Sequence, residues 1–151
     1  MSTTFDFSIV IPTYNRPQAL LACLATVRDL DYPKDKYEVV VVNDGSTVSY
    51  KAVQELYPEV HWVRVPNGGP GVARNAAVRE TRGRYIAFTD DDCYLHPLWL
   101  KELRQTFQVH PSALVGGSTP PHPDTGLYDQ VSQFITSIAV SYTHLTLPTK
   151  A

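Results

Sequence analysis

Short apolar runs alternate with segments of helical periodicity along most of the chain, and this alternation limits the folds it can adopt. The runs have the length and the content of β-branched and aromatic residues that strands favour, and they lie at 7–11, 37–43, 60–65, 85–89 and 113–115. The valines of the second run leave no polar face, which is typical of a strand buried on both sides. Strands separated by helices predict right-handed crossovers and a mostly parallel sheet with helices on both faces. The sequence therefore predicts an α/β fold whose ligands bind beyond the carboxyl ends of the strands.

The segments between the predicted strands carry the signals of helices. Pro17 suits a first helical turn, because the N–H that proline lacks is not needed there. The turn at 44–46 leads into a second helix, the third covers about 72–81, and Pro97 opens the fourth. Further along, the spacing of apolar residues in 128–140 predicts one amphipathic helix.

Composition and charge exclude several classes of protein. The chain of 151 residues fits one domain, and its 43% hydrophobic residues are enough for a core. Its 13 basic and 15 acidic residues give a net charge of −2, which excludes a strongly basic nucleic-acid binder, and the hydrophobic content excludes a disordered chain. Cys23 and Cys93 form no CxxC pair, so a disulfide-dense scaffold and a cysteine-built zinc site are excluded. The chain has no apolar run of about 18 residues and no signal-like start, so we expect a cytoplasmic domain.

Three adjacent carboxylates directly follow the fourth predicted strand. Asp90, Asp91 and Asp92 repel one another unless something offsets their charge, and a divalent cation with oxygen ligands would do so. Side chains of an extended segment alternate in direction, so Asp90 and Asp92 converge on one site while Asp91 faces elsewhere. The alternative is a solvated acidic turn that caps the next helix. The position after a buried strand favours the metal or ligand site.

Two other loops carry signals with two interpretations each. Asp44 is either an acid at a helix start or a carboxylate that accepts hydrogen bonds from a nucleotide base or a ribose hydroxyl. The glycine-rich loop 66–71 leads to Arg74, and backbone N–H groups beside a guanidinium can bind phosphate. The alternative is a plain glycine turn with a solvated arginine. The loop matches neither the dinucleotide-binding fingerprint nor the Walker pattern.

Four segments, taken in their order along the chain, resemble the motifs of one enzyme family. They are Ile-Pro-Thr-Tyr-Asn-Arg-Pro at 11–17, Val-Asn-Asp-Gly-Ser-Thr at 42–47, Gly-Gly-Pro-Gly-Val-Ala-Arg-Asn at 68–75 and Phe-Thr-Asp-Asp-Asp at 88–92. Over about residues 5–117 the chain resembles the N-terminal half of a family-2 glycosyltransferase of GT-A fold. The resemblance implies inverting transfer of a sugar from a nucleotide diphosphate sugar, here a UDP-sugar, to a saccharide or lipid acceptor. It also implies Mg²⁺ or Mn²⁺ as the cofactor.

The resemblance implies roles for individual residues of the donor site. Pro12, Thr13 and Tyr14 would line the base pocket, and Asp44 would hold uracil or an equivalent base. Arg74 would lie near the nucleotide.

The acidic triplet matches the DxD motif of the family. Asp90 would lie toward the ribose, and Asp92 would coordinate the metal that bridges the diphosphate. Such a cation would neutralise the charge that develops on the leaving diphosphate. The family often has a further acid after this motif, and Cys93 stands there instead.

The catalytic base of the family is an acid in a later segment, typically in a Glu-Asp pair. The acids that follow the triplet are Glu102, Asp124 and Asp129, and none of them stands in such a pair. We therefore name no catalytic base, and we expect no sugar transfer from this chain alone.

The same resemblance sets the expected domain organisation. We expect residues 1–140 to be a partial GT-A domain whose C-terminal half is missing, and residues 141–151 to be a non-native tail. In the parent protein we expect a location in the cytoplasm, at the inner face of the membrane through peripheral association. No nucleic acid is expected as a partner.

Three other functions are weighed against this one. A sugar nucleotidyltransferase would have a glycine-rich basic loop after its first strand, where this chain has Pro-Thr-Tyr-Asn at 12–15. A phosphotransferase with an aspartyl nucleophile typically places its DxD motif on the first strand, whereas this chain places it after the fourth. A nucleotide-binding module without turnover stays open.

Overall fold

The computed structural model describes residues 5–117 and 137–141. In these two ranges the strands are β1 (Phe7–Thr13), β2 (Tyr37–Asp44), β3 (His61–Val65), β4 (Tyr85–Phe88), β5 (Leu114–Gly117) and β6 (Ser137–Ser141). The helices are α1 (Pro17–Arg28), α2 (Lys51–Leu56), α3 (Pro70–Val78) and α4 (Trp99–Val109), and a 3₁₀ turn at Lys34–Lys36 precedes β2. Of the helices in the described ranges, none is both long and apolar enough to cross a membrane.

The order of the strands creates a topological switch point at β1. The sheet runs β3-β2-β1-β4-β6-β5, so the chain moves outward from β1 to β3 and then returns to the other side of β1. β1 pairs in parallel with β2 and β4, and β2 pairs in parallel with β3. β6 is antiparallel to both of its neighbours. The mostly parallel sheet is confirmed, and the loops after β1 and β4 diverge at a crevice of the kind that binds ligands in such folds.

Alternating side chains of the central strands pack into two cores on opposite faces of the sheet. One core joins Phe7, Ile9 and Ile11 of β1 to apolar side chains of α1, α2 and α4. The other joins Val10 to β2 and β4 and to Ala73 and Ala77 of α3. Both alanines are fully buried, and their small side chains let α3 lie close to the sheet. The prediction of helices on both faces is confirmed.

The second helix begins later than predicted. Residues 45–50 form bends and irregular structure, and α2 covers only Lys51–Leu56. The side-chain Oδ1 of Asn15 accepts the backbone N–H groups of Thr47 at 2.8 Å and Val48 at 3.3 Å. These bonds hold the segment after β2 against the loop after β1 instead of in a helical turn.

The helix predicted over 128–140 is wrong in its last part. Residues 137–141 form β6, which pairs with β4 and β5, while 128–136 lie outside the described residues. The edge of β4 offers a ladder of backbone hydrogen bonds, and this pairing outweighs the helical spacing of the apolar residues. Ser141, predicted as the first residue of the tail, is the last residue of β6, and 142–151 lie outside the described residues.

Candidate functional site

A cavity of about 440 Å³ opens at the carboxyl edge of the sheet, beside the switch point. Its lining comes from the carboxyl ends of neighbouring strands and from the segments that follow them, so the strand order brings these residues together. They are Pro12, Thr13, Tyr14, Arg16, Asp44, Asn67, Gly69, Pro70 and Asp90. Five of the six residues predicted to bind a donor therefore line one cavity.

Polar residues of the first two motifs join the loops on one side of the cavity. Asn15 has a φ of 53°, a left-handed conformation that asparagine tolerates better than most residues. Its backbone N–H donates to Ser46 Oγ at 2.9 Å, and the N–H of Ser46 donates to Asn43 Oδ1 at 2.9 Å. These side chains therefore fix the conformation of the loops rather than face the cavity, because none of the three belongs to its lining.

Asp44 ends β2 and is buried with its carboxylate turned toward the glycine-rich loop. Oδ1 accepts the backbone N–H of Gly68 at 2.9 Å, and Oδ2 accepts that of Gly69 at 2.9 Å. Asn67 Nδ2 donates to the backbone carbonyl of Asp44 at 3.0 Å. One interpretation of the sequence placed Asp44 at the start of the next helix, but α2 begins at Lys51 and Asp44 does not cap it. It anchors the loop, and its contact with a base stays a prediction.

The acidic triplet is a turn and not an extended segment. The carbonyl of Asp90 accepts the backbone N–H of Cys93 at 3.2 Å, which closes a four-residue turn just after β4. Within it, ligand atoms of Asp90, Asp92 and Cys93 all lie within 4.8 Å of one another. The convergence of Asp90 and Asp92 is confirmed, although the chain turn brings them together and strand alternation does not.

Asp91 faces away from this pair, as predicted, and is completely buried. Its Oδ2 accepts the hydroxyl of Thr13 at 2.8 Å, and its Oδ1 lies 2.7 Å from Nη2 of Arg16. Burial raises the pKa of the Asp91 carboxyl, whereas the Thr13 hydrogen bond and the Arg16 charge lower it. The middle acid thus ties the end of β1 to the turn after β4.

Two arginines balance the charge of the three acids. Arg74 Nη2 on α3 lies 2.6 Å from Asp90 Oδ1. Arg16 contacts both of the other acids, because its Nη1 lies 3.3 Å from Asp92 Oδ2. The acidic triplet in the sequence predicts a divalent cation as the balancing charge, and no sequence signal predicts this role for Arg16.

The donor atoms of this turn fit a hard divalent cation through two residues. Asp92 is exposed, Asp90 is half-buried, and both supply carboxylate oxygens of the kind that Mg²⁺ and Mn²⁺ prefer. Cys93 fits such an ion poorly, because sulfur is a soft ligand and burial raises the pKa of its thiol. Mg²⁺ is usually held by one or two carboxylates with phosphate and water as the other ligands, so two carboxylates suffice.

Sequence reasoning missed Arg16 and Asn67, and the position of Arg74 near the nucleotide stays a prediction. Arg74 contacts Asp90 but does not line the cavity. Arg16 lies in the motif at 11–17, and Asn67 lies in the glycine-rich loop 66–71. A polar side chain beside a proline or glycine turn is the signal that could have found each of them.

Comparison with known proteins identifies the family. The sequence model described as "Glycosyl transferase family 2" matches residues 8–149. Glycosyltransferase AglE of Haloferax volcanii is 33% identical over 124 residues, which are 78% of this chain and 41% of AglE. Poly(ribitol-phosphate) beta-N-acetylglucosaminyltransferase TarS of Staphylococcus aureus is 33% identical over 111 residues, which are 70% of this chain and 19% of TarS. The chain thus spans less than half the length of either relative.

Solved structures show the same fold. The structure of TarS 1-349 of S. aureus in complex with UDP-GlcNAc has a TM-score of 0.74 and 30% identity to this chain. The match covers 82% of this chain and 37% of the TarS chain. The mannosyltransferase PcManGT of Pyrobaculum calidifontis, solved with GDP-Man and Mn²⁺, matches 91% of this chain and 45% of that chain, with a TM-score of 0.69. At 23% identity, the second likeness concerns the fold alone. This chain belongs to glycosyl transferase family 2 and has the GT-A fold of glycosyltransferases.

Proposed function

We propose that this chain binds a nucleotide diphosphate sugar in the cavity beside β1, as the donor half of an inverting glycosyltransferase. The observation that carries the proposal is the convergence of four separate sequence motifs on this one cavity. A volume of about 440 Å³ lies within the usual range of small-molecule sites. The backbone N–H groups and carboxylates around it supply the polar contacts that a nucleotide needs.

The nucleoside is uridine. Tyr14 and Pro12 present apolar surface to the cavity, and the buried carboxylate of Asp44 lies at its edge, where it can accept a hydrogen bond from a base N–H. Support comes from TarS structures solved with UDP-GlcNAc and with UDP, which are 30% and 28% identical to this chain.

The diphosphate lies toward the acidic turn, with Asp90 and Asp92 as the ligands of Mg²⁺ or Mn²⁺. When bound, such an ion supplies positive charge that neutralises the leaving diphosphate. Arg74 holds Asp90 in place through its 2.6 Å ion pair, so one of the two ligands is already oriented.

The acceptor is a saccharide or a lipid, and we assign no residue as the catalytic base that would deprotonate it. Glu102 lies on the exposed surface of α4 and does not line the cavity. Asp124 and Asp129 lie outside the described residues. Because none of these three acids stands in a Glu-Asp pair, we propose that the 151-residue chain binds a donor and does not transfer its sugar. The cytoplasmic location and the peripheral membrane association stay predictions.

Calorimetric titration of the 151-residue chain tests the donor assignment. In the presence of Mn²⁺, we expect UDP to bind more tightly than ADP, GDP or uridine, because base and diphosphate contacts act together. Equal affinity for the three diphosphates would contradict the uridine assignment, and no binding of any would contradict the donor site itself. An assay with UDP-sugars and saccharide or lipid acceptors, in which no transfer is expected, tests the last part of the proposal.

A further inference from the structure

The guanidinium of Arg16 bridges the second and third acids of the triplet through its two terminal nitrogens. Nη2 lies 2.7 Å from Oδ1 of Asp91, which is fully buried, and Nη1 lies 3.3 Å from Oδ2 of Asp92, which is 57% exposed. The side chain of Arg16 is itself 53% exposed and belongs to the lining of the cavity. One arginine thus connects a buried acid, an exposed acid and the proposed donor site.

Three hydrogen bonds and the Arg16–Asp91 ion pair link four residues on the Asp91 side of this bridge. The hydroxyl of Thr13 donates to Asp91 Oδ2 at 2.8 Å, so it must accept from the hydroxyl of Tyr50, which lies 2.8 Å away. The Tyr50 oxygen in turn accepts the backbone N–H of Arg16 at 3.0 Å. Both the backbone N–H and the guanidinium of Arg16 are therefore held by this set of contacts.

The two ion pairs of Arg16 differ in how easily they break. Release of Asp91 would leave a buried carboxylate without a counter-ion, which is strongly unfavourable. Release of Asp92 costs little, because ion pairs between exposed side chains contribute little to stability and both groups are readily hydrated. Arg16 therefore has one permanent partner and one exchangeable partner.

We propose that Arg16 is an exchangeable counter-ion of the donor site. Nη2 of Arg16 stays paired with Asp91 throughout. Nη1 leaves Asp92 when that carboxylate takes up a divalent cation, and Nη1 then binds the diphosphate of the donor. The proposal rests on the proposed function, and it adds a positioning role for Asp91 and the hydroxyls of Thr13 and Tyr50. It couples the two ligands: Arg16 opposes the cation when no diphosphate is bound and favours the diphosphate when the cation is bound.

Two affinities that move in opposite directions test this exchange. Binding of Mn²⁺ alone to the 151-residue chain is measured by electron paramagnetic resonance, and binding of UDP at saturating Mn²⁺ by calorimetry. In Arg16→Gln, we expect Mn²⁺ alone to bind about two- to fivefold more tightly, since an exposed competing ion pair is lost. We expect UDP to bind about 10- to 100-fold more weakly, as for loss of a hydrogen bond to a charged group.

Matched variants keep the test decisive. Arg28→Gln removes an arginine of α1 that contacts the exposed Glu59, the carbonyl of Leu56 and the ring of Tyr57. None of these residues lines the cavity, so the substitution should change neither affinity. Arg16→Lys keeps a positive charge beside Asp91 but lacks the second nitrogen of the fork, so it should shift both affinities in the same directions as Arg16→Gln. It decides the test if Arg16→Gln is too unstable to measure.

The outcomes separate this inference from the proposed function. If the unsubstituted chain binds Mn²⁺ but no UDP, the proposed function is wrong and the exchange falls with it. If the unsubstituted chain binds Mn²⁺ and UDP, but the Arg16 variants weaken both or change neither, the exchange alone is wrong. Tighter Mn²⁺ binding with weaker UDP binding supports it, because a general loss of structure would weaken both.

Discussion

The carboxylate of Asp44 and the backbone N–H of Gly69 are joined by a 2.9 Å hydrogen bond at the edge of the cavity. The other carboxylate oxygen accepts the N–H of Gly68 at the same distance. Asp44 is buried, so these bonds are made by a charge removed from water, and hydrogen bonds to ionised groups are stronger than neutral ones. Asp44 therefore shapes the glycine-rich loop independently of any contact with a base.

Substitution of Asp44 is expected to affect both stability and binding. Asp44→Ala should lower the free energy of unfolding by about 1–3 kcal/mol, because the loop N–H groups lose their acceptor. If Asp44 also holds the base, UDP should bind more weakly by about 1–3 kcal/mol. Denaturant titration measures the first effect and calorimetry the second.

A comparison of two ligands separates the loop from the base. If Asp44 contacts the base, Asp44→Asn should reduce the affinity for UDP more than the affinity for inorganic pyrophosphate. Equal reductions of the two affinities would show that Asp44 acts only on the loop and does not contact the base. Asp35→Asn, on the exposed 3₁₀ turn, is the matched control and should leave both affinities unchanged.

Three glycines near the cavity should tolerate alanine to different degrees. Gly45 has a φ of +67°, and a Cβ there would lie 2.5 Å from the backbone nitrogen of Asn67. Gly69 has a φ of +91° with open space around it, and Gly71 has open space and an ordinary φ. Gly45→Ala should therefore lower the free energy of unfolding by about 2–4 kcal/mol through backbone strain and overlap.

Gly69→Ala and Gly71→Ala provide reference values for the destabilisation expected from Gly45→Ala. Gly69→Ala should cost about 1–3 kcal/mol, because a φ of 91° with a ψ of 168° is a backbone conformation essentially restricted to glycine. Gly71→Ala lies in the first turn of α3 and should be neutral or stabilising by up to about 1 kcal/mol. Denaturant midpoints that rank Gly69→Ala as more destabilising than Gly45→Ala would contradict the close approach of Gly45 to Asn67.

Asp92 is expected to carry the metal dependence of UDP binding. Asp92→Asn removes a negative charge and one of two carboxylate ligands, so added Mn²⁺ should no longer strengthen the binding of UDP. The fold should persist, because Asp92 is exposed and its ion pair with Arg16 is solvated. Calorimetry with and without Mn²⁺ measures the effect. An unchanged response to Mn²⁺ would show that Asp92 is not the ligand.

The parallel part of the fold could be predicted because each strand is a dense local signal. The valines of β2 are fully or almost fully buried, which follows from a run with no polar face. The position of the cavity also followed, since the carboxyl ends of parallel strands meet at one edge of the sheet. The pairing of 137–141 with β4 did not follow, because it depends on an edge formed by residues about 50 positions earlier in the sequence.

The electrostatics of the site depend on contacts that spacing does not encode. Asp91 was correctly expected to face away from its neighbours, but its partners Thr13 and Arg16 lie at the end of a different strand. Likewise, the acids converge through a turn closed by the N–H of Cys93, which alternation of side chains cannot describe. Sequence patterns identified the residue types at the site, while the pairing between them required the three-dimensional arrangement.

The two thiols are expected to resist alkylation in the folded chain. Burial raises the pKa of Cys23, and the nearby Cys93 and Asp91 raise it further; burial also raises the pKa of Cys93. The thiolate is the nucleophile, and each unit by which the thiol pKa is raised lowers the thiolate fraction about tenfold at neutral pH. At pH 7.5, iodoacetamide should therefore react with the folded chain at least about tenfold more slowly than with the chain unfolded in guanidinium. As pH rises past 9.0, the ordinary thiol value, the unfolded rate should level off while the folded rate keeps rising. Mass spectrometry of quenched samples locates the label, and rapid labelling of Cys23 in the folded chain at pH 7.5 would contradict its burial against the acidic turn.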